Sequence, residues 1–279
     1  MSVTRPICRY HGGKFRLADW IISNLPAPDA YDVYVEPFGG AGSVLLKKQR
    51  SHAEIYNDLD SDMVNLFRVA RDHGDELKRV LELTPYARVE YDHACEFPSG
   101  LSEIEMARRT VVRAAMGRDS ASATMDRKST FRVYTNPEGR SLTPMDDWVS
   151  YPVALVEITK RLYGVVLENL PAIELIANYD RKGVLFYVDP PYVAQTRDHT
   201  TGDYRHEMTD ADHAQLLEVL KNLKGMAVIS GYESPLYSEA LQGWKKVSKK
   251  ARADSAKERK EILWISPNCA DVVGAQMEL

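Results

Sequence analysis

The sequence predicts an α/β protein: a mostly parallel sheet covered by helices on both faces, with a largely helical segment inserted after its second strand. Three observations lead there. Short β-branched and aromatic runs alternate with helical periodicity over residues 31–74, and again over 151–241. Strands that alternate with helices build parallel sheets, because a parallel pair needs a crossover between its strands. Between those stretches the alternation is lost, and 279 residues at about 150 per domain leave room for a second unit. The domains are expected at 1–65 together with 152–279, and at 66–151.

The elements follow in order. YDVYVEPF (31–38) is a strand that breaks at Gly39-Gly40, and a helix runs from Ser43 to about Gln49. AEIYND (53–58) is a second strand ending in an acid. SDMVNLFRVARDHG (61–74) is a helix with Ser61 as its N-cap and Gly74 as its stop. Residues 75–117 are helical in pieces, broken by Pro85 and Pro98, and 118–151 form a long irregular segment of the kind that tends to carry function. Alternation resumes with a helix at 151–164, a strand VVLEN (165–169), a short helix AIELIANY (172–179) and an apolar strand VLFYVDPPY (184–192). A helix over 209–225, a strand over 226–232 and a helix over 235–241 follow, and WKKVSKK with EILWIS closes the sheet as an antiparallel pair.

Composition narrows the class. Hydrophobic residues make up 44% and charged residues 27%, which excludes disordered and collagen-like chains. No apolar run is long enough to span a bilayer. The polar opening MSVTRPICRYHGGK lacks a signal-peptide core, so a cytoplasmic location is expected. Cys8, Cys95 and Cys269 are far apart and form no CxxC pair, which argues for reduced thiols and against a zinc knuckle. The formal net charge is -4, but residues 106–140 hold eight bases (Arg108, Arg109, Arg113, Arg118, Arg127, Lys128, Arg132 and Arg140) against three acids. Residues 245–260 hold eight bases against two acids. Both stretches suit a polyanion; solvated faces would look the same.

Ligands of such sheets bind outside the carboxyl ends of the strands. After the first strand comes Glu36-Pro37-Phe38-Gly39-Gly40-Ala41-Gly42-Ser43, a glycine turn that lets backbone approach a ligand closely, though it is not GxGxxG. Asp58 follows the second strand and can accept hydrogen bonds from two ribose hydroxyls; a helix cap would also suit it. Together the two favour an adenosine-containing ligand. Asp189-Pro190-Pro191-Tyr192 is the most specific signal. Two prolines remove two backbone donors and leave a stiff cluster of acceptors suited to a planar amino group, with a ring for stacking a base. The competing reading is a proline-stabilised turn. Near the start, Arg9-Tyr10-His11-Gly12-Gly13-Lys14 is a tight loop carrying one point charge. GxSxG, HExxH and HxE…PCxxC are all missing, so nucleophilic and metal chemistries lack support.

The set YHGGK, YVEPFGGAGSV, YNDLD, FYVDPPY and VISGY, in this order, resembles the Dam-type DNA adenine-N6 methyltransferases, especially phage and prophage members. The resemblance spans nearly the whole chain and is weak over 66–150. It implies a Rossmann-like methyltransferase fold with an inserted target-recognition domain, S-adenosylmethionine as donor without metal, and double-stranded DNA as partner. Carried over by motif, Tyr10 and Lys14 border the donor, with Lys14 near its methionyl end. Glu36, Pro37, Phe38, Gly39, Gly40, Gly42 and Ser43 pass beneath it, and Asp58 holds its ribose. Asp189, with Pro190 and Pro191, lies between donor and adenine, and Tyr192 stacks on the flipped base. Arg9, Arg118, Arg127, Lys128, Arg132 and Arg197 face DNA. Two positions depart from the family: Tyr10 stands where the best-known members have Trp, and Asn169, a further donor contact, stands where Asp is frequent.

The implied reaction is direct methyl transfer to the adenine N6 amine after the base leaves the stack. The loop 194–208 is expected to be mobile without DNA and to close over the base. An RNA adenine or protein glutamine methyltransferase, whose acceptors present a similar amine, is the first alternative; a non-catalytic nucleic-acid-binding module is the second. A nicotinamide dehydrogenase lacks its glycine signature here. A monomer is expected, since no amphipathic interface stands out, and a restriction partner is neither implied nor excluded.

Overall fold

The computed structural model describes residues 3–123, 128–133, 143–197, 204–252 and 258–277. Helix α1 (Ala18–Ile22) precedes β1 (Val33–Glu36), α2 (Ser43–Lys47), β2 (Ala53–Asn57) and α3 (Ser61–Asp72). Helices α4 (Gly74–Glu82), α5 (Arg88–Ala94), α6 (Glu103–Met116) and α7 (Pro144–Leu162) lead to β3 (Val165–Glu168). Then come α8 (Ala172–Tyr179), β4 (Val184–Val188), α9 (Asp210–Lys221), β5 (Met226–Gly231), α10 (Pro235–Ala240), β6 (Lys245–Arg252), β7 (Glu258–Ile265) and α11 (Pro267–Met277). No helix among the described residues is long and apolar enough to cross a membrane.

One seven-stranded sheet runs in the order β3-β2-β1-β4-β5-β7-β6. The first five strands are parallel, and β7 is antiparallel to both β5 and β6. The predicted Rossmann-like α/β class is therefore present. Strand order reverses direction between β1 and β4, and the crevice at their carboxyl ends is where such sheets bind ligands.

The alternation of β1 shows how the sheet is held. Val33 and Val35 face one core with Ile55, Phe186, Val188 and Ile229, under α8, α9 and α10. Tyr34 faces the other with Tyr56, Leu185, Val228 and Leu263, under α1, α2 and α3. Leu77, Tyr91, Val111, Trp148 and Leu155 of α4 to α7 extend this second core without a break.

Four local expectations are corrected. Helix α7 begins at Pro144, not near 151, because Thr143 and Asp146 form a reciprocal capping box with proline in the first turn, while Pro152 sits inside the helix. Asp60, not Ser61, caps α3 by accepting from the Asp62 amide. Gly74 does not stop a helix but starts α4, where a Cβ would lie 2.4 Å from Thr159 Oγ1. Helices α1 and α11 escaped notice; α1 spans 5 residues, too few for a periodic pattern.

Candidate functional site

Three segments meet at the switch point: the loop 10–14, the turn after β1 and the turn after β4. They line a cavity of about 320 Å³ that also takes in Asp58, Leu170–Ile173 and residues 204–208.

The turn after β1 needs its glycines. Gly40 (φ +48°) and Gly42 (φ +60°) lie in the left-handed region, and a Cβ on Gly42 would stand 2.7 Å from the Phe67 ring. Six of the seven residues expected beneath the donor (Glu36, Pro37, Phe38, Gly39, Gly40 and Ser43) line the cavity, while Gly42 does not; it acts by shaping the turn. Glu36 is 2% exposed and its Oε1 accepts from the Tyr34 hydroxyl (2.6 Å) and the Leu45 amide (2.7 Å). Burial pushes its carboxyl up to about 7, against those two hydrogen bonds.

Asp58 Oδ2 accepts from the Gly40 amide (2.7 Å) and Oδ1 from the Asp60 amide (2.8 Å). Each oxygen keeps a further lone pair for a ligand hydroxyl. Burial raises this carboxyl to about 6 although the amides pull it down. Asn57, a candidate helix cap by sequence, instead fixes the same corner: its amide donates to the Pro37 and Leu170 carbonyls and its oxygen accepts from the Leu170 amide. Asn169 does not line the cavity. It is exposed, donates to the carbonyls of Asp58 (2.7 Å) and Leu59 (3.2 Å), and accepts from Ser61. Its structural work is therefore to tie the ends of β2 and β3 together.

The third corner carries the charges. Asp189 Oδ1 accepts from the Ser230 hydroxyl (2.6 Å) and lies 3.0 Å from Lys14 Nζ. Among the described residues both close polar contacts of Asp189 fall on Oδ1, which leaves Oδ2 for a ligand. Lys14 also donates to the Gly12 carbonyl at 2.8 Å. Burial would lower its pKa, but Asp189 and Glu261 raise it. The ammonium thus lies against Asp189 rather than apart from it, a pairing that residues 175 positions apart could not reveal.

Pro190 and Pro191 line the cavity, whereas Tyr192 does not. The Tyr192 hydroxyl donates to Glu261, Lys14 Nζ lies 4.6 Å from its ring centroid, and the Tyr232 ring meets it edge-on at 4.6 Å. The ammonium thus takes one face of this ring.

Residues 204–208 cover part of the cavity. Arg205 pairs with Asp60 (2.6 Å) and Asp62 (3.2 Å), and Arg197 pairs with Glu207 (2.7 Å). Tyr204 lies over the loop at Gly12, with His11 edge-on to its ring at 5.2 Å.

The expected DNA-facing residues are dispersed. Arg9 donates to the carbonyls of Gly117 (2.9 Å) and Arg118 (2.6 Å), so it ties the amino-terminal loop to the end of α6. Arg118 is exposed, Arg132 is half-buried and Lys128 pairs with Asp92 at 2.7 Å. Arg127 lies outside the described residues. Three other bases of the 106–140 run point inward. Arg108 and Arg109 pair with Glu105, and Arg113 is 4% exposed against Asp62. Charge counting cannot see which face of a helix is covered. Among the described residues no group of three or more His, Cys, Asp or Glu is arranged to hold a metal ion.

The ionisation of Glu36 yields a prediction. A buried carboxyl with a folded pKa near 7 and an ordinary unfolded value of 4.5 gives stability that is complete below about pH 4.5 and lost as pH rises through 7. Glu36→Gln lacks this loss while keeping an acceptor for Tyr34 and Leu45. Its stability relative to the parent should therefore rise by on the order of 3 kcal/mol between pH 4.5 and 8 in the ligand-free protein. Urea melts at several pH values would measure it; a constant difference would refute it.

The family model described as "D12 class N6 adenine-specific DNA methyltransferase" matches residues 10–255. A DNA adenine methylase of Serratia marcescens is 38% identical over 79 residues, 28% of each chain. A DNA adenine methylase of Haemophilus influenzae is 38% identical over 71 residues, 25% of this chain and 24% of that protein. Those two matches span only about a quarter of the relatives' length. The Type II methyltransferase M1.LlaDCHI of Lactococcus lactis subsp. cremoris is 26% identical over 249 residues, 84% of each chain. With a match across most of its length, the chain belongs to the D12 class N6 adenine-specific DNA methyltransferase family.

Proposed function

We propose that this protein, acting as a monomer in the cytoplasm, methylates the N6 amine of an adenine flipped out of duplex DNA at a specific site. One observation carries the reading: the Asp189-Pro190-Pro191 corner closes the same cavity that the glycine turn and Asp58 open.

The residues present fit S-adenosylmethionine. Gly40 and Gly42 shape a turn that side chains would fill, and Asp58 keeps lone pairs for ribose hydroxyls. Tyr10, the Glu36–Ser43 turn and Asp58 would hold the donor, with Asn169 bracing Asp58 from behind. When bound, this donor supplies a methyl carbon made electrophilic by its sulfonium. Asp189 then orients the amine. Its Oδ1 is anchored by Ser230 and Lys14, so Oδ2 would accept one amine hydrogen and the Pro190 carbonyl the other. The amine is a poor nucleophile because its lone pair is delocalised into the ring. Nitrogen would take the methyl group as the carbon–sulfur bond breaks and neutral S-adenosylhomocysteine leaves; acceptors that stabilise the positive charge on nitrogen, until its extra proton passes to water, lower that barrier. Residues 204–208 would have to shift for the base to enter; residues 198–203 of the expected closing loop lie outside the described residues.

Residues 66–151 would form the target-recognition unit on the 1–65 and 152–279 catalytic domain. Arg118, Arg127, Lys128 and Arg132 would meet phosphates, with Arg9 and Arg197 shaping the edge of the site. The β6–β7 hairpin supports the same orientation. Its last pairing row beside β5 is Gly231↔Ile262, and four further rows, Lys249↔Glu261 to Arg252↔Glu258, project beyond the carboxyl edge of the sheet. At roughly 3.4 Å per residue the overhang is ~14 Å, on the side a duplex must approach. Exposed Lys249, Lys250 and Lys260 lie on it.

The test offers purified protein and S-adenosylmethionine to duplex DNA, RNA and glutamine-bearing peptide, then sequences the DNA with modified-base detection. N6-methyladenine within one short duplex motif is expected, with binding that weakens steeply as salt rises. Methyl transfer only to RNA or peptide would overturn the reading.

A further inference from the structure

The reaction just proposed makes no use of Glu261, yet this residue is the second carboxylate of the charged corner. It lies on β7 one residue beyond the last row shared with β5 and is 3% exposed. Its neighbours on the same face of the strand are the buried Leu263 and Ile265. A carboxylate in such surroundings is costly unless paired. Its Oε1 accepts the Tyr192 hydroxyl and stands 4.0 Å from Lys14 Nζ.

Charge balance gives this position a purpose. At 3.0 Å the Lys14 ammonium largely cancels the field of Asp189. The amine gains positive charge as the methyl group arrives, and it needs a net negative corner. A second carboxylate beyond Lys14 returns the trio to a net charge of −1. Burial raises the pKa of Glu261, and Lys14 opposes that rise.

We infer that Glu261 is a positioning residue that neutralises Lys14 and orients Tyr192, so that Asp189 keeps its negative field toward the amine. The inference rests on the methyl-transfer reading above. Its rival is a packing role in which Glu261 merely accepts the Tyr192 hydrogen bond.

Glu261→Gln separates the two, because the amide oxygen still accepts that bond while the charge is gone. Single-turnover methylation of duplex DNA at saturating donor should slow on the order of tenfold. Calorimetry supplies a readout independent of turnover: affinity for cationic S-adenosylmethionine should fall by about fivefold relative to neutral S-adenosylhomocysteine. Removing both charges, as Lys14→Gln with Glu261→Gln, should bring back part of the rate lost in the single variant. Glu261→Asp keeps the charge, should stay within about threefold of the parent, and serves if the glutamine variant does not fold. A Gln variant at parental rate and affinity ratio overturns the inference, as does a double variant slower than the single one, or an Asp variant that folds and is as slow as the expected Gln variant. A parent that methylates no DNA overturns the functional reading and this inference together; an active parent with any of the other adverse results overturns this inference alone.

Discussion

Asp189→Ala should lower the single-turnover methylation rate by about a thousandfold or more, while duplex affinity changes little. Removing one preorganised group that stabilises developing charge in a water-poor site costs on the order of 10²–10³ in rate. Asp189 supplies both this stabilisation and the aim of the amine. The substitution also strips Lys14 of its 3.0 Å counter-charge, leaving a buried ammonium with the Gly12 carbonyl and, among the described carboxylates, Glu261 at 4.0 Å. Positive charge would then meet positive charge. Stopped-flow or quench measurement with the motif found by sequencing, alongside duplex binding, reads the effect. A variant within tenfold of the parent would remove Asp189 from the mechanism, and with it the acceptor corner on which the functional reading stands.

Glu54→Ala should destabilise the protein by about 3–5 kcal/mol, the cost of breaking a buried ion pair from one side. Glu54 is 1% exposed and collects Lys48 Nζ at 2.7 Å, and both terminal nitrogens of Arg161 at 2.6 and 2.9 Å. Burial alone would raise its pKa; the Arg161 and Lys48 contacts more than reverse that. Lys48 is 4% exposed, so the alanine variant leaves a cation without its counter-charge. The trio joins the end of α2, the start of β2 and the end of α7, and so sets how the inserted helices dock beside the glycine turn. Glu54→Gln keeps one acceptor oxygen and should lose less. Denaturant melts of the two variants decide the matter, and an alanine variant within 1 kcal/mol of the parent would mean that the network contributes little.

Much of the site is legible without coordinates because it is built from local signals. A glycine turn, an acid after the second strand and a Pro-Pro pair after an apolar strand each announce themselves within a few residues. Their placement at strand ends follows from periodicity alone. Other features stayed hidden for specific reasons. Arg108, Arg109 and Arg113 count as basic in any sequence window, yet α6 turns them toward Glu105 and Asp62. Tyr192 reads as a free stacking ring, but Lys14 and Tyr232 take its face and edge. Glu261 carried a faint signal: in Glu261, Leu263 and Ile265 the strand alternation puts a carboxylate on an apolar face, and that pattern asks for a buried partner.

By itself the amino-acid order determined the succession of the sheet's strands and of most helices, the turns that need glycine or proline, and the kind of chemistry each turn offers. These depend on steric and hydrogen-bonding preferences that act over a handful of neighbouring residues. The tertiary structure decided which charges meet. Lys14, Asp189 and Glu261 come from a loop before the first strand, the fourth strand's end and the last strand, and only the order of strands in the sheet brings them together. Electrostatic partnership depends on distance in space, and no local pattern encodes it.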